Sequence, residues 1–459
     1  MRYFIGQENH LRTLFLDKKI SNIDVNEIDE SLSSHDWQGL KDEDGNVWCT
    51  LRNYEKGIIT EDDRGNKLQK DFFEVNKDIH HLNPPENSII YVDRLLRNNY
   101  LREIFGYFGI SWIKKLDEIY KERNCTLIIN WAYFEATDYE CREMYGLINY
   151  KWNCNNIVLS DYVFFDDKNY PHINVDVFYS FWFHIYEHIL LHEFDHLDVW
   201  HEVVSGEITY RDFINRILES EPTEDSKKYS FIVGNPGRFH RMYLLKKLIE
   251  SNLHKEGDIT LKKEMYNEYY ENIQRGILRE GETTFTELAS KYFSSKYFKP
   301  LDFYKDIEDR IGNQLNDYNF AHQTYNILNK EYTRGYLDIY GDTHVMFKKG
   351  APLFSEKVFH GLFYKKNFII FGSNFFYDKL NSLGGHNFFE ELGINEEEYL
   401  KDENPIRQAD IIFQRISELD KKSIIEIYNN TKEKREENQK LVFDYFNEIM
   451  KPVREKVLN

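Results

Sequence analysis

Three groups of residues in this chain have the types and spacing that chemistry requires. The first is His192-Glu193-Phe194-Asp195-His196, an HExxH string inside the apolar-flanked run ILLHEFDHLDVW. Helix residues four apart share a face. Both imidazoles can therefore ligate one zinc ion while Glu193 deprotonates a bound water. The extended form of the pattern is missing, because Val199 and Glu202 stand where a glycine and a third histidine belong. Glu219 and Glu221, the distal acids available as a third ligand, lie in a polar segment beside Pro222. The same stretch also repeats histidine at His184, His188, His192 and His196. Such a stripe can bind a transition metal or sense pH; a half-buried polar face is the preferred reading.

The second group is YSFIVGNPGRFHRMYLLKKL, residues 229–248. It reads as a strand, a turn and a helix. A helix start at the carboxyl end of a strand offers free N–H groups and a positive dipole end. Arg238 and Arg241 add fixed cations that match phosphate oxygens bidentately, Gly234 and Gly237 allow close approach, and Asn235 lies in the turn. The chemistry is diphosphate binding, although an ordinary βα turn with surface arginines has the same composition. The third group is PLFSEKVFHGLFYKKNFIIFG, residues 352–372. Ser355 is a natural N-cap, so Glu356 and Lys357 occupy the first helical turn. There a carboxylate can accept from ribose hydroxyls and an ammonium can neutralise phosphate, while Val358, Phe359, Leu362 and Phe363 bury the other side. A capped amphipathic helix with no ligand would look alike.

The elements around these groups have an α/β pattern. Ser88–Asp93, Cys125–Asn130, Asn156–Ser160 and His172–Val177 read as short strands, separated by helical stretches over 99–122 and 181–204. That alternation argues for layers around a parallel sheet. Residues 1–85 are polar and rich in turn signals at 42–45, 62–65 and 83–85, and read as an irregular extension. An acidic, proline-interrupted run at 219–226 reads as a linker, and a second α/β pattern follows it. Residues 422–450 read as one long helix with Leu441, Val442, Tyr445, Phe446, Ile449 and Met450 on its apolar face. The expected division is an N-terminal α/β domain over 1–220, a C-terminal one over 221–430, and a terminal helix over 431–459.

Bulk properties narrow the classes. At 459 residues with 41% apolar residues, the chain can build two or three real cores. The net charge of -19 opposes long-range attraction to nucleic acid. Cys49, Cys125, Cys141 and Cys154 show no CxxC spacing, which fits free thiols in a reducing compartment. The start, MRYFIGQENHLRTLF, does not read as a signal peptide. The most apolar stretch, 175–194, is broken by acids and histidines and is no membrane span. A cytoplasmic protein is expected. The wealth of Asn, Lys, Ile and aromatics points to AT-rich coding in a virus or bacterium, hence to host cytoplasm if the chain is viral.

The order of the second and third groups carries a resemblance. Gly234-Asn235 with Arg241, then Lys330-Glu331-Tyr332, then Ser355-Glu356-Lys357, then a strand ending at Phe371-Gly372-Ser373 resembles the "SN…R", "FEN" and "TEK" pattern of the alpha-1,3-fucosyltransferase family. Gly237-Arg238-Phe239-His240-Arg241 and Phe354-Ser355-Glu356-Lys357 are also similar to the "RPHR" and "TEK" helix starts of GT-B-like proteins, often phage-encoded. The resemblance spans residues 227–430. It implies a GT-B glycosyltransferase: two Rossmann-like domains facing a cleft, with the last helix crossing back onto the first. It implies a nucleotide-diphosphate sugar as donor substrate, held by Arg241, Glu356 and Lys357 and joined by Asn235, Arg238 and Glu331. The implied transfer to an acceptor hydroxyl is inverting, metal-independent and without a cofactor. Tyr332 in place of Asn and Ser355 in place of Thr leave the base and the sugar open.

An inverting transfer needs a base from across the cleft. Ligands of open α/β sheets lie off the carboxyl ends of strands, which favours Glu135, just past the strand 125–130, with Asp138 and Asp161 as alternatives. The acceptor stays open among a glycan, a protein, a small molecule and a modified base in viral DNA. The competing expectation is a zinc-dependent metallohydrolase or protease with His192 and His196 as ligands and Glu193 as base.

Overall fold

The computed structural model describes residues 2–32, 35–52, 57–68, 71–93, 110–131, 150–160, 173–174, 197–219, 221–234, 239–261, 335–341, 361–371, 374–402 and 404–459. These form a mixed α/β structure that divides into two compact units, one of residues 1–217 with 446–459, the other of residues 218–445.

The first unit is organised by an eight-stranded sheet. Its strands are Arg2–Gln7 (β1), Ile20–Ile23 (β2), Trp37–Asp42 (β3), Val47–Leu51 (β4), Ile89–Asp93 (β5), Thr126–Trp131 (β6), Asn155–Ser160 (β7) and Ile173–Asn174 (β8). They lie in the order β2-β3-β4-β1-β5-β6-β7-β8. Only β3 runs against its neighbours; the pairs from β4 through β8 are all parallel. Residues 1–85, expected as an irregular extension, thus supply half of this sheet, with β1 at its middle. Short mixed strands joined by polar turns conceal their pairing until partners cover one face.

Ile5, Ile90, Val92, Leu127 and Ile129 form one buried cluster with Ile113, Leu116 and Tyr120 of a helix, Ile110–Glu122. Past its C-terminus Asn124 adopts left-handed geometry (φ 51°), and the Cys125 N–H returns to the Tyr120 carbonyl at 2.8 Å, satisfying an orphan helix acceptor. The buried Asp117 carboxylate ties that helix to the entry of β7. It accepts from the N–H groups of Asn153 (2.8 Å) and Cys154 (2.9 Å), the Asn153 amide (2.7 Å) and the Tyr150 hydroxyl (3.1 Å). Arg12 is the other buried tie. It donates to the carbonyls of Ile20 (2.5 Å) and Val203 (3.3 Å) and to Asn22 (2.6 Å), and it pairs with Glu8.

The second unit holds a four-stranded sheet. Its strands are Tyr229–Gly234 (β9), Gly257–Leu261 (β10), Leu337–Gly341 (β11) and Asn367–Phe371 (β12), in the order β10-β9-β11-β12 and all parallel. Every residue of β11 and β12 is buried, as expected of parallel strands covered on both faces.

The helix expected over 422–450 is two helices. Lys421–Asn430 is capped by the Asp420 carboxylate on the Ser423 N–H, and Lys432–Leu458 follows. The break is at Thr431, whose hydroxyl lies 2.8 Å from both the Ile427 carbonyl and Asn367 Oδ1. The final helix belongs to both units, to the second through Tyr445 and to the first from Phe446. Its buried Phe446, Met450, Val453 and Val457 join the first unit, where Arg2 donates to the Val457 carbonyl at 2.5 Å and Arg454 to the Leu14 carbonyl at 3.3 Å. Among the described residues no helix is long and apolar enough to cross a membrane.

Candidate functional site

The strand order of the second unit contains a switch in direction. From β9 the chain continues to β10 on one side, and from β11 to β12 on the other. In open α/β sheets the crevice for a ligand forms off the carboxyl ends of strands at such a switch, here between the neighbours β9 and β11. At this end of the sheet Gly341 and Phe371 are the paired last residues of β11 and β12.

The helix Phe239–Glu250 begins a few residues after β9 ends at Gly234. Its first turn covers both strand ends. The His240 ring meets the Phe371 ring edge-on, with centroids 5.2 Å apart. The Arg241 side chain crosses Gly341 so closely that a Cβ at Gly341 would lie 2.8 Å from Arg241 Cγ and 3.2 Å from Cδ and Nε. Glycine is therefore what admits the arginine. Farther along the helix, Leu244, Leu245, Leu248 and Ile249 are buried, while Tyr243 (3.2 Å) and Lys247 both bond the Asp410 carboxylate on the helix Pro405–Glu418. That contact fixes the rotation of the helix, and with it the direction of Arg241.

Arg241 is 1% exposed. A guanidinium stays charged under all physiological conditions. A buried guanidinium is tolerated only where its charge and N–H groups are met, and Arg241 is not without a partner here. The carboxyl end of the sheet thus brings together a fixed planar cation, an adjoining helix start and a strand ending in glycine.

Of the sequence-derived donor residues Arg241 alone lies within the described part; of the candidate metal ligands Glu219 and Glu221 do, with Glu221 accepting from the Tyr428 hydroxyl at 2.7 Å. Asn235, Arg238, Glu331, Glu356 and Lys357 lie outside the described residues, as do Glu135, Asp138 and Asp161. So do His192, Glu193 and His196 of the HExxH string, with His184 and His188. Among the described residues no group of three His, Cys, Asp or Glu side chains is placed to hold a metal ion; that statement does not reach the HExxH string. Gly341 and His240 were missed in the sequence. A glycine ending an apolar run, as in LDIYG, was the available signal for the first.

A cavity of about 400 Å³ opens elsewhere, on the first unit. Its rim alternates Asp71, Glu74 and Glu122 with Lys77, Lys115 and Arg123, so it favours no ligand of one charge. Among the described residues the cysteines offer no nucleophile. Burial pushes the Cys49 and Cys125 thiols up to about 11 and raises that of Cys154 further, far from the thiolate form that reacts. No protein-family model, no curated protein and no solved structure matches this chain.

Proposed function

We propose that this protein transfers a sugar from a nucleotide-diphosphate sugar to an acceptor hydroxyl, with the donor held by the second unit. The observation that carries the reading is Arg241, buried at the carboxyl end of a parallel sheet and laid across Gly341 beside the switch between β9 and β11. Glycosyl transfer builds negative charge on the leaving diphosphate. A fixed guanidinium in a site closed to water stabilises that charge without reorganising. Arg241 is assigned this role. Arg238 and Lys357 are its expected companions on the phosphates, Glu356 on the ribose, and Asn235 and Glu331 complete the donor set. Glu135 is the proposed base for the acceptor, which is a glycan, a protein, a small molecule or a modified viral DNA base.

The test is calorimetric titration with UDP, GDP, CMP and dTDP-sugars, followed by donor turnover. Binding of a nucleotide-diphosphate sugar by the wild type, and its loss in Arg241→Met with the fold intact, supports the reading. Equal binding by that variant, or no binding of any of these donors by the wild type, overturns it. Stoichiometric zinc in untagged protein, with loss of hydrolysis in Glu193→Gln, would instead establish the metallohydrolase.

A further inference from the structure

At the other end of the second sheet lies a buried group of ionisable side chains that the proposed transfer does not use. Asp338, the second residue of β11, is paired in register with Ser230 of β9 and Phe368 of β12. Side chains alternate along strands, so Lys366, two residues before Phe368, comes to the same face as Asp338. Asp338 is 0% and Lys366 1% exposed. The Tyr340 hydroxyl donates to Asp338 Oδ2 at 2.7 Å, but Asp338 Oδ1 and Lys366 Nζ make no hydrogen bond. Buried polar atoms in that condition call for an explanation.

The covering elements are two helices. From Lys421–Asn430, Tyr428 sets its ring 5.7 Å from Lys366 Nζ and donates its hydroxyl to Glu221 at 2.7 Å. From Lys432–Leu458, Arg435 stacks on the same ring at 3.5 Å and donates to the carbonyls of Lys365 (2.5 Å) and Tyr428 (2.9 Å). Gln439 donates to the Phe363 carbonyl at 2.7 Å. The charged and titratable groups facing the pair are thus Tyr340, Tyr364, Tyr428, Glu221 and Arg435. The first turns of the final helix rest on residues 363–367, the segment that contains Lys366.

We propose that Asp338 and Lys366 form a proton-operated catch under the first turns of the helix Lys432–Leu458, tight or loose according to how many protons the pair holds. Burial acts on both partners, raising Asp338 against the pull of Lys366, Tyr340 and Ser230, and lowering Lys366 against the pull of Asp338 and Glu221. The signs follow from linkage. The raised carboxyl contributes stability that is present below the ordinary carboxylate range and is lost as pH rises through its folded value. The lowered amine contributes stability that is present above the ordinary lysine range and is lost as pH falls through its folded value. The two losses meet near neutrality, where the catch is loosest.

Amide hydrogen exchange over residues 431–445 of the full chain, corrected for the intrinsic pH dependence of exchange, reads this directly. The wild type is expected to lose about 10-fold in protection near neutral pH relative to either side, equivalent to ~1.4 kcal/mol. Asp338→Asn with Lys366→Met removes both titrating groups, and its corrected profile is expected to be flat. A flat wild-type profile, or an unchanged profile in the double variant, overturns the proposal. Should the double variant not fold, infrared spectra of the wild type labelled at aspartate carboxyls decide. A carboxylic acid band must persist at about pH 6, well above the ordinary aspartate range, and its absence refutes the catch.

Discussion

Replacing Gly341 by alanine tests the proposed donor site without touching a charge. The new Cβ would lie 2.8 Å from Arg241 Cγ and 3.2 Å from Cδ and Nε. Carbon atoms settle at about 3.5–4.0 Å, so the arginine must retreat by roughly 1 Å. Cγ is near the root of the side chain, and flexing the tip does not relieve the contact. The displacement therefore reaches the guanidinium. A hydrogen bond to a charged group contributes about 1.5–3 kcal/mol, so Gly341→Ala is expected to weaken nucleoside diphosphate binding by roughly 10- to 100-fold. Overpacking adds a stability cost of about 1–3 kcal/mol. Gly361→Ala is the matched control, because its Cβ would meet Phe368 Cδ1 at 2.8 Å with no arginine involved. Calorimetric titration with UDP and GDP at fixed ionic strength, beside denaturant unfolding of both variants, separates the two effects. If Gly341→Ala binds as tightly as the wild type, or if Gly361→Ala loses as much affinity, Arg241 does not hold the phosphates.

Other consequences are open to simpler measurements. Burial opposes ionisation of Asp117, but the N–H groups of Asn153 and Cys154 and the donors of Asn153 and Tyr150 outweigh it and hold the carboxyl below its ordinary value. Its stabilising contribution is present above the ordinary carboxylate range and is lost as pH falls through the lowered value. Asp117→Asn, which turns an amide donor toward those donors, is expected to cost about 2 kcal/mol at neutral pH and to flatten the acid limb of an unfolding profile. A variant that keeps the full acid dependence contradicts this. Arg12→Ala leaves the Ile20 and Val203 carbonyls without this donor and Glu8 without its cation, a loss of about 3 kcal/mol. Differential scanning calorimetry should show the first unit melting roughly 6–12 °C lower, and a shift under 2 °C would be too small. In a Cys141→Ser background the native protein should leave Cys49, Cys125 and Cys154 unreacted with a thiol reagent until denaturant is added. Rapid native labelling would contradict their burial.

The sequence announces elements whose composition is decided by burial on both faces. LIIN in β6, IIYVD in β5 and NFIIF in β12 read as strands at sight and are strands. The turn at Asp42–Gly45 was equally visible, and Gly45 takes the left-handed φ of 85° it needs. Its flanking strands were not, because WQGLKD and VWCTL are short and mixed. Gly39, which lets β3 pack against the Ile23 carbonyl and the Ile28 side chain, has no side chain to signal a core. What makes them strands is the parallel pairing of β4 with β1, a tertiary fact. The site divides the same way. Arg241 was legible as a cation at a helix start. Its seat on Gly341 was not, because the adjacency of β9 and β11 joins distant stretches of chain. Asp338 and Lys366 gave no warning at all, since isolated charges near apolar runs look like strand ends facing solvent.

The shared final helix has a consequence for biosynthesis. The unit translated first cannot complete its own interior, because Phe446, Met450, Val453 and Val457 belong to it and are made after the entire second unit. At bacterial to eukaryotic elongation speeds this delay lasts roughly 10–50 s. Throughout it the nascent chain exposes an apolar seat awaiting its last segment, a natural landing place for chaperones on the ribosome.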